Sequence, residues 1–557
     1  MSQEKQPSFL DSKTILAIVL VGMSWIAWQS YMKKKYPHAY EQKAQVEQSA
    51  EATNNAEGGG SPNQDTAGNV ENPGSTVGDS NDLTTPVGIP TPSDRAESVV
   101  HYEDEYWSFD ISSKGMGIRN LHLKKYTDRK NELVSVGRGS LEPIFATNLS
   151  GRRGELDFTI ETIGEGQFKG TAVTESGQIT KLVSLRSSQY LFETEVVATG
   201  LKPSFVGLTV TMGDKLYESK KGGFMLPAFD HQEFFIRSNS GKDRLAINVE
   251  KLTELDKTIN QVRVAALGTQ YFAQGVIDNS DVIPEVKTYG DIQAGIVTGR
   301  LQYTMLNKAD AFKIRYRSFA GPKSFEMLER IDSEFAEIVN FGMFSWIAKY
   351  ILHMMKWFYT LLGNWGLAII LLTIIVRLIV LPFAVMSYKS MKNMQKIQPQ
   401  IKALREKYAE DKQRLNQEMM GLMKNHRVNP LGGCLPMLLQ FPVFIALYQV
   451  LGQSIELYQA PFGLWIHDLS LKDPFYVLPV LMGITMFIQQ RITPNTMDPA
   501  QAKVLMFMPL LFTFFMVSLP SGLTLYIFIS ALFGILQQMY FMREKKTELK
   551  TVEVTAK

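Results

Sequence analysis

The spacing of apolar residues changes several times along the 557-residue chain, and each spacing predicts a different kind of element. Ile15 to Trp28 is a continuous apolar run preceded by Lys5 and Lys13, the outline of a signal peptide or a signal anchor. It exits through Gln29-Ser30-Tyr31-Met32-Lys33 with no small-x-small cleavage site. Residues 1–35 are therefore expected to remain as an N-terminal transmembrane anchor, with Trp25, Trp28 and Tyr31 at the lipid–water boundary. Residues 36–99 turn to Gly, Ser, Thr, Asn, Gln, Pro and Glu. Such a composition cannot bury enough apolar area to offset its ordering entropy, so a flexible linker is expected.

Between residues 100 and 322 the period is two. Trp107, Phe109 and Ile111 alternate with polar residues, as do Val206, Leu208, Val210 and Met212, and again Phe312, Ile314 and Tyr316. Gly, Asn, Asp and Pro punctuate these runs, which predicts an all-β sandwich domain. Beyond Pro322 the period lengthens: Phe325, Leu328, Ile331, Phe335 and Ile338 recur every three or four residues, the mark of an amphipathic helix. Phe344 to Leu362 is apolar, rich in Trp and Tyr, and dotted with Lys349, His353 and Lys356. It reads as a helix lying on a membrane surface, with a packed linker helix as the alternative, so residues 323–362 form a connecting pair.

Five long apolar segments follow, near 365–386, 434–452, 475–490, 504–519 and 522–542, predicting a five-helix membrane core over residues 363–542. The segments between 475 and 519 are short for a bilayer that needs ~20 residues, so they are expected to cross a thinned region. No internal repeat of the kind many transporters carry is visible. The whole is thus expected to be a polytopic α-helical membrane protein carrying a large all-β sandwich periplasmic domain. The mean hydropathy of −0.07 averages a polar and an apolar population and conceals this division.

Charge then orients the segments. Residues 387–428 carry Lys389, Lys392, Lys396, Lys402, Arg405, Lys407, Lys412, Arg414, Lys424 and Arg427 against four acids, which places this loop in the cytoplasm. The loop 453–474 holds Lys472 against Glu456, Asp468 and Asp473 and faces outward; the basic tail 543–557 returns inside. Alternation puts the β domain outside and both termini inside. Lys33-Lys34-Lys35 argues the other way, and the basic loop outweighs it because long domains translocate largely regardless of nearby charge.

A net charge of +3 is too small to argue for nucleic acid, and no DNA partner is expected. A single cysteine, Cys434, excludes an intrachain disulfide, and seven scattered histidines show no zinc spacing, so neither metal nor cofactor is expected. No Walker-type phosphate loop is present.

The basic loop has helical periodicity of its own. Met391, Met394, Ile397, Ile401, Leu404 and Tyr408 step by three or four, and so do Leu415, Met419 and Leu422 after a break near Ala409 to Asp411. A helical hairpin with an apolar seam is predicted, bent at Pro399. Its methionines suit a surface that accepts varied partners, and equally suit an ordinary coiled-coil seam.

Arg377 is the most informative residue. It stands inside Ile374-Ile375-Val376-Arg377-Leu378-Ile379-Val380, and at ~1.5 Å per residue the nearer end of the apolar segment is ~13 Å away. A guanidinium there costs ~2.5–3.5 kcal/mol on insertion. No Asp or Glu lies at mid-depth in any of the five segments, so an aqueous cavity is the favoured solution; backbone carbonyls or snorkelling are the alternatives. Thr373, one turn earlier, shares its face. Gln440 adds a second polar group, and Pro442 frees a backbone carbonyl and kinks the helix. Tyr526, Gln537 and Gln538 are weaker signals in the last segment.

Asn429-Pro430-Leu431-Gly432-Gly433-Cys434-Leu435-Pro436, followed by Gln440 and Pro442, resembles the signature of YidC-type membrane protein insertases. Ala460-Pro461-Phe462, Trp465-Ile466-His467-Asp468-Leu469 and Pro520-Ser521-Gly522-Leu523 match the same family in the same order. The resemblance implies a non-enzymatic insertase and chaperone of the inner membrane, working alone or with a Sec-type translocon. It implies a hydrophilic groove, open to cytoplasm and lipid and closed to the periplasm, with Arg377 as its essential arginine and Thr373, Gln440 and Tyr526 along it. Ile527 stands where similar proteins often carry an aromatic residue. Implied partners are nascent membrane proteins and the lipid bilayer, with the translocon and the ribosome as candidates. A solute transporter or channel with a periplasmic binding domain, and a membrane-tethered binding module, are the competing expectations.

Overall fold

The computed structural model describes residues 96–151, 154–217, 229–307, 309–426, 435–493 and 499–542. The expected anchor, nearly all of the linker, the tail, and Asn429, Pro430, Gly432 and Gly433 lie outside the described residues, as does the side chain of Pro436.

Among the described residues, eighteen antiparallel strands from Val99 to Pro322 form three sheets. A four-stranded sheet takes Val99–Glu103, Trp107–Ser112, Ile118–Thr127 and Leu133–Val136 in chain order. A nine-stranded sheet has Ala311–Pro322 between Phe272–Asp278 and Leu191–Thr199. A five-stranded sheet centres on Ile296–Thr304 beside Gly207–Lys215. The period-two pattern explains this directly: Trp107, Phe109 and Ile111 are buried, and the first two rings pack with Phe192 at centroid distances of 4.5 and 5.4 Å. Gly207–Lys215 departs from simple alternation. Thr209 and Thr211 are buried along with Leu208, Val210 and Met212, because the strand is covered on both faces, and Val206 falls outside it and is exposed.

One buried cation was invisible in the pattern. Lys181, almost without exposure, donates from Nζ to the carbonyls of Phe145 (2.7 Å), Met116 (3.0 Å) and Gly115 (3.3 Å). All three residues have positive φ, so the amine ties down two tight turns; Gly115 O also accepts from Thr147 N at 2.8 Å. Burial alone draws this lysine down to about 7.

Helices take over beyond Pro322, where α1 (Phe325–Ile331) buries Phe325, Leu328 and Ile331. The sequence predicts that it continues to Ile338; instead it stops at Asp332, and a 3-10 turn covers Phe335–Ile338. The reason is local. The Asp332 carboxylate accepts from the amides of Glu334 (2.9 Å) and Phe335 (3.1 Å), a turn that competes with helix, and pairs with Arg317 at 3.4 Å. Helix α2 (Ser345–Leu362) buries Ala348, Ile351, Leu352, Met355 and Phe358 while exposing Trp346, Tyr350 and Trp357. Gly363, at φ 64°, closes it, and Asn364 caps the next helix by accepting from Leu367 N at 3.0 Å.

That helix, α3 (Trp365–Lys407), runs unbroken for 43 residues into the region expected to begin a separate hairpin. Residues 387–407 contain no glycine and are dominated by good helix formers, so Pro382 and Pro399 are carried inside the helix. The chain returns in α4 (Lys412–Asn425), capped by Asp411. Helices α5 (Leu435–Gln453), α6 (Val477–Ile492), α7 (Pro499–Met516) and α8 (Ser521–Met542) complete the core. By length and composition α3 and α8 can cross a membrane; α6, with 16 residues, is shorter.

The sheets are fastened to the helices. The Gln459 amide donates to the carbonyls of Thr127 and Asp128, both at 3.0 Å, and Tyr458 donates to Thr127 O at 3.1 Å while its ring meets Tyr271. Gln270 donates to Gly452 O, and Lys356 of α2 bridges Glu326 of α1 (3.2 Å) and Glu456 (2.7 Å).

Candidate functional site

Helices α6 and α8 meet α3 around Arg377. Helix α8 packs along α3 and α6, while α5 lies against α2 and α3. The side of α8 facing them carries Tyr526, Ser530, Gly534 and Gln538, a polar or small residue every fourth position. Arg377 reaches this stripe: its Nε and Nη2 both donate to Ser530 Oγ, at 2.9 and 2.6 Å. One turn further on, a Cβ at Gly534 would lie 3.1 Å from Gln489 Nε2 and 3.8 Å from both terminal guanidinium nitrogens. The missing side chain therefore gives the guanidinium and the Gln489 amide their room. Tyr388 donates to Gly534 O at 3.4 Å from the far side. No carboxylate among the described residues pairs with Arg377, and helices α5, α6 and α8 contain none.

Of the other expected groove residues, Gln440 and Tyr526 come together: the Gln440 amide donates to the Tyr526 hydroxyl, joining α5 to α8. Tyr526 is almost fully buried. Thr373, also expected along the groove, has no exposure, and its hydroxyl donates to Ile369 O at 2.6 Å inside its own helix. Several buried amide atoms have no protein partner among the described residues: Gln440 Oε1, Gln490 Oε1, and both Nε2 and Oε1 of Gln537. Such atoms are costly unless water or a polar ligand serves them.

The outer end of the core is closed by the segment after α5. Phe462 lies so close over Gly366 that a Cβ there would fall 2.0 Å from its ring, and Asn364 Nδ2 donates to Phe462 O at 2.9 Å. Gly522 N and Ser521 N donate to Leu469 O and Leu471 O, pinning the start of α8 to the same segment. Buried Asp473 accepts from Trp465 Nε1 at 3.0 Å and from Leu478 N at 2.7 Å. Pro442 sits inside α5 without ending it.

In the hairpin, Met394, Ile397 and Ile401 are buried against Met419, Leu422 and Met423. Met394 and Met419 thus fill the coiled-coil seam and form no open acceptor surface. Met391 is half-buried, its sulfur 3.9 Å from Ser387 Oγ. The open apolar surface is elsewhere: Phe507, Leu510, Leu511 and Phe514 on α7, and Val480, Ile484 and Phe487 on α6.

Sequence reasoning missed Ser530, Gly534, Gln489 and Tyr388. The four-residue polar spacing from Tyr526 to Gln538 was the available signal for the first two.

Comparison with known proteins covers both parts of the chain. A family described as the YidC periplasmic domain matches residues 102–354, and one described as the 60Kd inner membrane protein matches residues 357–548. A membrane protein insertase YidC of Geotalea daltonii is 36% identical over 456 residues, covering 77% of this chain and 84% of that one. A protein of the same name from Geobacter sulfurreducens is 36% identical over 435 residues, covering 70% and 81%. A crystal structure of an active YidC insertase with its first transmembrane domain resolved superposes with a TM-score of 0.37 at 18% identity, over 82% of this chain and 95% of that chain.

Proposed function

Because the chain belongs to the YidC family of membrane protein insertases, we propose that Arg377 and the polar stripe of α8 are where it receives the polar segment of a membrane protein under insertion. It is an insertase of the inner membrane with a periplasmic β domain, and its substrates are membrane proteins on their way into the bilayer. The solute-transporter reading has no support among its relatives.

The observation that carries the proposal is a guanidinium in the apolar core whose described side-chain acceptor is one neutral hydroxyl, with glutamine amides short of partners elsewhere in the same helical core. A cation so placed keeps its attraction for a substrate carboxylate. At ~4 Å and an effective dielectric of ~20 that attraction is on the order of 4 kcal/mol before desolvation is subtracted. Gln440 and Tyr526 would border the path, and the exposed faces of α6 and α7 would guide the hydrophobic segment into lipid. Burying ~20 apolar residues is favourable without coupling, so no bond is made or broken and no nucleotide is consumed.

On this reading both termini and the hairpin are cytoplasmic, as the basic loop argues, and the outer segment 454–474 seals the periplasmic end. The hairpin's basic outer face, with Lys389, Lys396, Lys402 and Arg414 exposed, suits a first encounter with nascent chains at the ribosome; a Sec-type translocon would be a lateral partner. Arg377→Ala should lower insertion of an acidic-tailed substrate at least ~10-fold in inverted membrane vesicles, read by protease protection, while the protein stays folded. Undiminished insertion would remove the arginine from the mechanism.

A further inference from the structure

Ser530 belongs to none of the signature motifs, yet it is the described side chain that accepts from Arg377. The guanidinium has five N–H donors, and its side-on pair, Nε and Nη2, converges on Ser530 Oγ at 2.9 and 2.6 Å. The remaining end of the fork lies over Gly534, with a backbone position and no side chain there, and with the Gln489 amide beside it. Resting on the proposed function above, we propose that Ser530 is a positioning and specificity-determining residue. It aims Arg377 while leaving the charge uncompensated, so that the free end of the fork selects a carboxylate-bearing substrate segment.

The chemistry of position 530 decides the outcome. An alkyl side chain would leave a long, flexible arginine without an anchor, and entry of the substrate would have to order it. A carboxylate would close a permanent bidentate ion pair and cancel the charge before any substrate arrived. A hydroxyl lies between these limits: it orients the guanidinium by hydrogen bonding and contributes no opposing charge. Gly534 plays the steric half of the role, since even a methyl group there would press on Gln489 and narrow the approach to Nη1 and Nη2.

The test measures selectivity rather than activity. Full-length protein in proteoliposomes is presented with two versions of one single-spanning substrate, whose translocated tail carries either three Asp or three Asn residues. The readout is the ratio of their insertion rates, which cancels any loss of folded protein. Wild type should favour the Asp tail several-fold. Ser530→Asp should bring the ratio close to one, Ser530→Ala should lower it partly, Ser530→Thr should restore it, and Gly534→Ala should lower it. Arg377→Ala separates the two levels of argument. If Arg377→Ala collapses the ratio while Ser530→Asp leaves it at the wild-type value, the arginine's role stands and the role of Ser530 is overturned. If Arg377→Ala leaves the ratio untouched, the reading beneath falls and this inference falls with it.

Discussion

Replacing Gly366 with Ala tests whether the outer end of the core is sealed by the contact between α3 and Phe462. The added Cβ would lie 2.0 Å from Phe462 Cδ2, 2.5 Å from Cγ and 2.8 Å from Cε2, where carbon atoms normally stand ~3.5–4.0 Å apart. The ring must therefore retreat by roughly 1.5 Å, carrying with it the Phe462 carbonyl that Asn364 holds at 2.9 Å. Overpacking of this kind costs ~1–3 kcal/mol. Trimming the ring should cancel most of that penalty, so Phe462→Leu in the Gly366→Ala background should recover at least ~1 kcal/mol in a double-mutant cycle. The assay is thermal unfolding of the full-length protein in one detergent, paired with labelling of a cysteine placed at buried Ala460, which leaves the Phe462 ring in place, by a reagent confined to the outer side. Gly366→Ala should raise that labelling rate. If the two substitutions prove additive and the labelling does not change, Phe462 does not seal the core against Gly366.

Two further outcomes follow from the geometry. Thr373→Val should change insertion by no more than about two-fold, because the lost hydroxyl served only the Ile369 carbonyl of its own helix; a ten-fold loss would return Thr373 to the groove. Burial raises Asp278 in the β domain to about 6, so the folded state holds that proton more tightly than the unfolded state does. Its stabilising contribution is complete at acid pH and is lost as pH rises from ~4 through 6. Asp278→Asn should then be the more stable form at pH 8, by on the order of 3 kcal/mol, with a flatter dependence from pH 4 to 8. Urea unfolding followed by the circular dichroism of the β sheets measures both, and identical pH slopes would refute the assignment.

Which features were legible in the sequence follows from how local their causes are. Alternation in Trp107–Ser112 and Ala311–Pro322 is a property of one strand against one core, and it reads directly from the chain. The end of α1 is decided by Asp332 and Arg317, fifteen residues apart in sequence, and periodicity alone carried the helix too far. Arg377 announced itself because a charge inside an apolar run is a local anomaly. Its partner did not: a serine in a membrane helix is common, and only the packing of α8 on α3 brings Ser530 to the guanidinium across 153 residues of sequence. Lys181 failed to show for the same reason, since its three carbonyl acceptors come from turns assembled by other strands.

The buried polar groups of the core differ in kind along its length. At the outer end, Asn364, Asp473, Ser521 and Gln459 have partners and aromatic rings fill the gaps between them, while Ser454 Oγ, Glu456 Oε2 and Asp468 Oδ2 find none among the described residues. Deeper in the core, amide atoms of Gln440, Gln490 and Gln537 lack partners among the described residues, and the Arg377 charge has a hydroxyl as its described side-chain acceptor. A polar segment of substrate can serve unpaired groups at either level, and beside Arg377 it also meets an uncompensated charge. Helix α6 contributes to the same end. Its 16 residues rise ~24 Å against a hydrocarbon core of ~30 Å, which shortens the apolar distance left to cross. On the proposed reading, entry beside Arg377 is followed by lateral release along α6 and α7, and a tail with no polar group to offer should depend least on Arg377.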